Sequence, residues 1–426
     1  MGFLSPYRVL DLTNERGLLT GKIFADLGAD VIQIEPIGGS SARKVGPFVE
    51  EGPNKGSSLF WEAYACNKRG ISCDLDSEEG KEIFRKLYAS SDFFFESESP
   101  GIMAQRGLSY EQLRGINPRV IYVSITPFGS FGPKASYADS DIVIWAAGNA
   151  LYSNRELDRP PVRVSLPQSY MHASADAAVG ALIAHFARLK SGLGQHVDIS
   201  AQRSVAQCSL SRVLSMAVGD PNFEKGDLGA LANGKKRTID ESGSGNRTGR
   251  SKWEVKDGYV ELHLAMGPAA GRFTNNLMVW LYHEGVIDEE TAKLDWIQVP
   301  NLLREERLDW DEIDRIYELI GNFLRRFSKL ELMEAALKWK VLLAPIYSVM
   351  DLAESPHLAA RQFWEDIEGS KGRRLLVPGR FARTSVDGFE FKRLAPFLGE
   401  HNYEVLTEIL GLSDNYISYL ELNEVI

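Results

Sequence analysis

The stretch YRVLDLTNERGLLTGKIFADLGADVIQIEP, residues 7–36, decides the fold. YRVLDLT is a short, mostly apolar run of strand length. GLLTGKIFADLGA places Leu19, Ile23, Phe24 and Leu27 at helical spacing and predicts an amphipathic helix, and DVIQIEP is a second strand. Strand, helix and strand in close succession form a βαβ unit, the mark of a parallel sheet.

The scheme recurs along the chain. GISCDL (70–75) leads into the helix SEEGKEIFRKLYASS, which opens on Ser77 with Glu79 and Glu82 in its first turns, and then into the strand DFFFES. YEQLRGIN and the strand RVIYVSIT follow. LPQSYMHASADAAVGALIAHFARLKSGLGQHVDIS, residues 166–200, reads as an extended entry, one long helix, a glycine turn and a strand. Up to about residue 200 the expectation is therefore a doubly wound α/β lobe. Residues 225–250 turn glycine- and charge-rich, as a loop or domain boundary does. SKWEVKDGYVELHL reads as a hairpin turning at Asp257–Gly258, helical segments cover about 270–340, and LAPIYSVMDLAESPHLAARQFWEDIE returns to strand and helix.

Composition narrows the function. The 426 residues are 44% hydrophobic, enough for a full core and two domains. A net charge of −10 argues against nucleic acid and against an anionic membrane surface. The basic run at Gly234–Arg237 reads as a solvated loop. No secretion pattern opens the chain, Pro6 stands where myristoylation needs Ser or Thr, and no run reaches about 18 apolar residues. Cys66, Cys73 and Cys208 show neither metal nor disulfide spacing, so a soluble protein of the cytoplasm is expected.

Several motifs fail on inspection. GLLTGK is one residue short of a phosphate loop, with Ile23 in the Ser/Thr position. GSGNRTG (243–249) lacks the third glycine of a dinucleotide fingerprint, and Asn246–Thr248 is a glycosylation sequon by letter only. There is no HExxH and no GxSxG, so neither a zinc enzyme nor a serine hydrolase is expected, and no metal site. His172 and His185 read as packed or solvent-facing residues of the long helix.

Taken in order, VLDLT…GLLTGKIFADLGADVIQIEP, NKRGISCDLDSEEGKEIF, ESPGIMAQRGLSYEQLRGINPRVIYVSITPFGSFGP, RPPVRV, ARLKSGLGQHVDIS, VKDGYVEL and SPHLAARQFW resemble the class III CoA-transferases, the formyl-CoA transferase or CaiB/BaiF family. The resemblance spans nearly the whole chain. It implies a Rossmann-like large domain built from both chain ends (1–224 and 331–426). A smaller α+β domain (225–330) is inserted between them, and two such chains interlink like rings. In active members an aspartate attacks the acyl-CoA thioester and passes through anhydride and aspartyl-CoA species. A glycine-rich loop closes over the site, with its counterpart here at Gly243 and Gly245.

The resemblance also shows where this chain departs. Counting back from Gln195, or forward from Pro160–Pro161, puts the catalytic aspartate at Tyr170. Asp176, six residues on, would point about 240° further round a helix and suits a surface or capping role. A phenol cannot form an anhydride. The His/Asp pair of the racemase branch falls on Ser140 and Tyr170. CoA-facing positions carry over to Pro36, Cys73, Asp74, Leu75, Gln105 and Ala138. The cations expected at Pro36, Gln105 and Ala138 are missing, with Arg43, Arg106 or Lys134 at neighbouring positions as candidates to compensate. The turn Ser97-Glu98-Ser99-Pro100-Gly101 adds a negative charge beside the phosphopantetheine path.

The reading is thus a non-catalytic subunit of a heteromeric CoA-transferase, interlinked with a homologous chain that carries the aspartate. Its substrates would be an acyl-CoA such as succinyl-CoA and a small carboxylic acid such as (R)-benzylsuccinate, with CoA thioester as substrate and no tightly bound cofactor. Two alternatives stand beside it: an active transferase using Asp141 or Asp176, and a CoA-binding homodimer without enzymatic activity.

Overall fold

The computed structural model describes residues 2–49, 58–151, 160–210, 213–214, 218, 251–368 and 374–426. The chain divides into two compact units. The first holds Met1–Leu151, Arg163–Leu214 and His357–Ile426; the second holds Tyr152–Val162 and Ser215–Pro356.

In the first unit β1 (Arg8–Leu12), β2 (Asp30–Glu35), β3 (Arg69–Ser72), β4 (Phe93–Glu96), β5 (Ile121–Thr126) and β6 (His196–Ser200) form one parallel sheet in the order β3-β2-β1-β4-β5-β6. This is the doubly wound order, with its switch point between β1 and β4. Between strands run α1 (Leu18–Asp26), α2 (Leu59–Ala65), α3 (Glu78–Ala89), the short α4 (Ile102–Gln105) and α5 (Tyr110–Leu113), α6 (Asp141–Ala147) and α7 (Ser169–Ser191); α8 (Ala201–Ala206) follows β6.

Period-two alternation sorts the strand residues between two faces. Phe93 and Phe95 of β4 join Val9, Val31, Val123 and the alanines of α7 (Ala173, Ala177, Ala181, Ala184) on one face. Phe94 faces the other way with Leu10, Ile32, Phe84 and Leu87. That second face is completed from the far end of the chain by Val405, Leu406, Ile417 and Leu420. Each fully buried phenylalanine contributes about 1.5–3 kcal/mol relative to exposure.

Ser77 caps α3 as the sequence predicts, accepting the N–H of Gly80. The glycine turn after α7 uses its two glycines differently. Gly192 takes φ +74° as the left-handed helix cap, while a Cβ on Gly194 would sit 2.1 Å from the carbonyl oxygen of Val120.

One expectation fails locally. Helix α1 is not amphipathic: Leu18, Thr20, Gly21, Lys22, Phe24, Ala25 and Asp26 are all buried, because the sheet, α2 and α7 enclose it. Its charges survive there by pairing, with Lys22 Nζ 2.5 Å from Asp26.

The second unit carries the antiparallel sheet of β7 (Lys252–Val255), β8 (Gly258–Leu262) and β9 (Leu343–Ile346). Helices Gly271–His283, Trp310–Leu324 and Lys329–Trp339 cover a core containing Trp253, Trp280 and Trp296. The hairpin forms, but Val255 pairs with Gly258, so Lys256 and Asp257 make the two-residue loop rather than Asp257–Gly258. Asp257 instead receives the N–H of Lys329. Residues 331–356, expected in the C-terminal return, stay in this unit because β9 pairs with β8; the return begins at His357. There β10 (Trp364–Glu368) and β11 (Arg374–Pro378) form an antiparallel hairpin. The expected boundary at 224/225 lies outside the described residues.

Candidate functional site

In an open parallel sheet, ligands gather beyond the carboxyl ends of the strands at the switch point. Here the segment after β1 and the segment after β4 are tied together there: the Asn14 N–H donates to Ser97 Oγ at 3.0 Å. Beneath them lies a buried polar hub. Lys68 Nζ, fully buried, donates to Asp11 Oδ2 at 2.8 Å, to the Leu18 carbonyl at 2.9 Å and to Gln33 Oε1 at 2.9 Å. Asp11 in turn receives the Thr13 hydroxyl at 2.6 Å. This hub fixes the exit from β1 and so the position of Glu15 and Arg16.

Glu15 and Arg16 enter a cavity of about 810 Å³ whose walls include Val45, Pro47, Leu59, Phe60, Tyr64 and Met171. Its polar end comes from the start of α7 and the segment leading to α6: Asp139, Ser140, Asp141, Gln168 and Tyr170. The Tyr170 hydroxyl donates to Asp139 Oδ2 at 2.5 Å, and Arg16 Nη2 donates to Asp139 Oδ1 at 2.7 Å. The Arg16 guanidinium lies 5.9 Å from the centre of the Tyr170 ring, which closes the triangle. Burial, and then the hydrogen bond to Asp139, push the Tyr170 phenol well above its ordinary range.

The two other aspartates considered as nucleophiles hold local structure, although Asp141 Oδ2 is buried without a hydrogen bond among the described residues and has only Arg163 Nη1 near it, at 3.8 Å. Asp141 Oδ1 receives the N–H groups of Gln168 and Ser169, both at 2.9 Å, and the Ser169 hydroxyl at 2.8 Å, holding the first turn of α7. Asp176 lies along α7, does not line the cavity, and receives Gln207 Nε2 at 2.7 Å.

Tyr170 and Ser140 are therefore brought together; the CoA-facing positions are not. Pro36, Gln105 and Ala138 are exposed and outside this cavity, and Asp74 is half-buried, receiving the Asp76 N–H. Cys73 and Leu75 turn their side chains into the core, at 2% and 6% exposure, so neither side chain can face a ligand. Their alternation follows from β3 leaving the sheet with one residue in two pointing inward. Arg43 is held by Glu35 at 2.6 and 2.8 Å and by the Pro396 carbonyl, and Arg106 by Asp76 at 2.8 Å and Glu98 at 3.5 Å. Lys134 is exposed. Gly243, Gly245, Gly234–Arg237 and Asn246–Thr248 lie outside the described residues. His172 is exposed with its ring edge toward Trp145, and His185 packs on Tyr7.

A second polar cluster escaped sequence reasoning. Glu96, at the end of β4, is 5% exposed, and burial pushes its carboxyl up to about 7. Beside it Ser124 Oγ lies 2.9 Å from His196 Nε2, whose imidazole burial shifts downward. A glutamate ending the run FFFE is the one signal that pointed there. Among the described residues no group of three or more His, Cys, Asp or Glu could hold a metal ion.

Comparison with known proteins supplies the context. The model for CoA-transferase family III matches residues 4–402. Succinyl-CoA:(R)-benzylsuccinate CoA-transferase subunit BbsE of Thauera aromatica is 35% identical over 408 residues, 95% of this chain and 93% of its own. The succinyl-CoA–L-malate CoA-transferase beta subunit of Chloroflexus aurantiacus is 25% identical over 413 residues, covering 95% of this chain and 93% of its own. A CAIB/BAIF family protein from Brucella suis shares the fold, with a TM-score of 0.76 at 24% identity over 96% of this chain and 100% of that one.

Proposed function

The chain belongs to CoA-transferase family III, and from that premise we propose that it is the non-catalytic subunit of a heteromeric CoA-transferase, paired with a homologous chain that carries the catalytic aspartate. The observation that carries this reading is Tyr170, whose hydroxyl is committed to Asp139. A phenol held protonated by burial is no nucleophile toward a thioester, and it cannot form the anhydride through which a carboxylate passes CoA on. Asp141 is fixed through its Oδ1 in the first turn of α7, and Asp176 lies outside the cavity and receives Gln207, which speaks against either as the replacement.

The fixed cations point the same way. Arg43 and Arg106 are spent on carboxylates of this chain, which leaves exposed Lys134 alone of the three neighbouring cations for CoA's phosphates. Two relatives, from Thauera and Chloroflexus, are themselves named as subunits. By likeness to the first, the complex would move CoA between succinyl-CoA and a carboxylic acid such as (R)-benzylsuccinate, with the CoA thioester as substrate rather than as a resident cofactor. Cys66 and Cys73 are buried free thiols, which suits the reducing cytoplasm as the place of work.

The test is expression of this chain alone and together with a homologue carrying the aspartate, with thioester exchange followed by chromatography of the CoA esters. Exchange is expected only from the pair. Robust exchange by this chain alone would sink the proposal.

A further inference from the structure

The cavity at the start of α7 has a charge pattern that constrains its occupant. Among the described residues lining it, the charged groups are Glu15, Arg16, Asp139 and Asp141. Three carboxylates and one guanidinium line it; Arg16 is paired with Asp139, and outside the lining Arg163 Nη1 lies 3.8 Å from Asp141 Oδ2. Arg16 Nη2 lies 2.7 Å from Asp139, whose second oxygen receives the Tyr170 hydroxyl at 2.5 Å. Asp139 thus stands where a ligand carboxylate would stand, holding the cation that would receive it.

An incoming carboxylate would compete with Asp139 for Arg16, and winning the cation would displace Asp139. That would leave the Asp139 charge, with side-chain exposure of 10%, without its cation beside Glu15 and Asp141. Beyond the polar end, where Ser140, Gln168 and Tyr170 also stand, the wall is largely apolar, with Val45, Pro47, Leu59, Phe60, Tyr64 and Met171. A dry apolar cavity of about 150 Å³ accepts benzene, so about 810 Å³ accommodates a ring together with an alkyl chain.

We propose that this cavity receives the uncharged apolar part of a ligand, an aryl or alkyl body, and rejects carboxylates, with Asp139 as the residue that sets this selectivity. The proposal rests on the reading that the cavity no longer houses a nucleophile. In a heteromer it would steer an acid substrate so that its hydrophobic body lies against this chain while its carboxylate stays with the partner.

The experiment is calorimetric titration of the full chain with two probes of one shape, 3-phenylpropan-1-ol and 3-phenylpropanoate. The wild-type chain is expected to bind the alcohol tighter than the carboxylate by on the order of tenfold. Asp139→Asn frees Arg16 and removes one negative charge, so carboxylate binding should tighten by on the order of tenfold. Adding Arg16→Gln should abolish that gain. Asp139→Ser serves as the second variant, and thermal melts report whether each protein is folded. Equal binding of both probes by the wild-type chain, no change of preference in a folded Asp139 variant, or no binding of either probe at millimolar concentration would each overturn the proposal. Thioester exchange is measured separately and without these probes, so failure of the non-catalytic reading leaves a different trace.

Discussion

Replacing Lys68 by methionine is the sharpest test of how the switch point is held. The side chain keeps its length and apolar body, so packing changes little, but Nζ and its three bonds to Asp11, Leu18 and Gln33 vanish. Both members of the Lys68–Asp11 pair have side chains at 0% exposure, so no water can replace the ammonium. Breaking a buried pair by removing one partner costs about 3–5 kcal/mol. At about 2–4 °C per kcal/mol for a domain of this size, the thermal midpoint should fall by roughly 6–20 °C. Scanning fluorimetry reads this directly. The double variant Lys68→Met with Asp11→Asn removes the orphaned charge while keeping an amide oxygen for Thr13, and it should recover at least half of the loss. A single-variant cost below about 1 kcal/mol, the range of an exposed pair, or a double variant no more stable than the single, would refute the argument.

Three further outcomes are expected. Glu96 titrates near 7 in the folded state against an ordinary 4.5, so folding takes up a proton; the stability this gives is fully present below about pH 4.5 and is lost as pH rises to about 7, at up to about 1.4 kcal/mol per pH unit. Glu96→Gln should therefore gain on the wild type with rising pH across that window, and parallel melting curves for the two proteins would contradict it. Gly194→Ala forces a Cβ to 2.1 Å from the Val120 oxygen and 2.5 Å from the Arg119 oxygen; both are backbone atoms that cannot swing aside, and a loss of about 1–3 kcal/mol or more should appear in denaturant titration. Tyr170→Asp should yield no appreciable thioester exchange, because it adds a carboxylate beside Asp139 and Asp141 and restores no cation for CoA. Holding the thioester in attack geometry is worth about 7–11 kcal/mol, and exchange by this variant at the rate of an active relative would show that the CoA site is intact.

What sequence could and could not reveal follows from how far apart partners lie. The apolar runs of β1, β2, β4 and β5 and the long α7 are local patterns, and each became the element its pattern predicts. The position of Tyr170 at the start of α7 was equally legible, being counted along one helix from the glycine turn. The hub at Lys68 was not, because a lysine reads as surface until Asp11, 57 residues away, is placed beside it. Arg16 and Asp139 are 123 residues apart, and nothing in either neighbourhood announces the other. Nothing local marks Glu96, the last residue of FFFE, as buried; its burial is created by β5 and β6 arriving on one side. Helix α1 carried a helical period but no hint that three neighbours would leave it so little water.

The cover that residues 402–422 give to one face of the parallel sheet has a consequence for how the chain is made. All six strands have been synthesised by Ser200, yet the helices Asn402–Leu410 and Asp414–Leu422, the first of which packs on β3 and α3 and which together complete the core that holds Leu10, Ile32 and Phe94, come about two hundred residues later. At 5–20 residues per second that interval is roughly 10–40 s. For that time the core that holds Leu10, Ile32 and Phe94 is incomplete on the side of β3 and α3, a nascent surface fit for a holdase and vulnerable to its neighbours on a polysome.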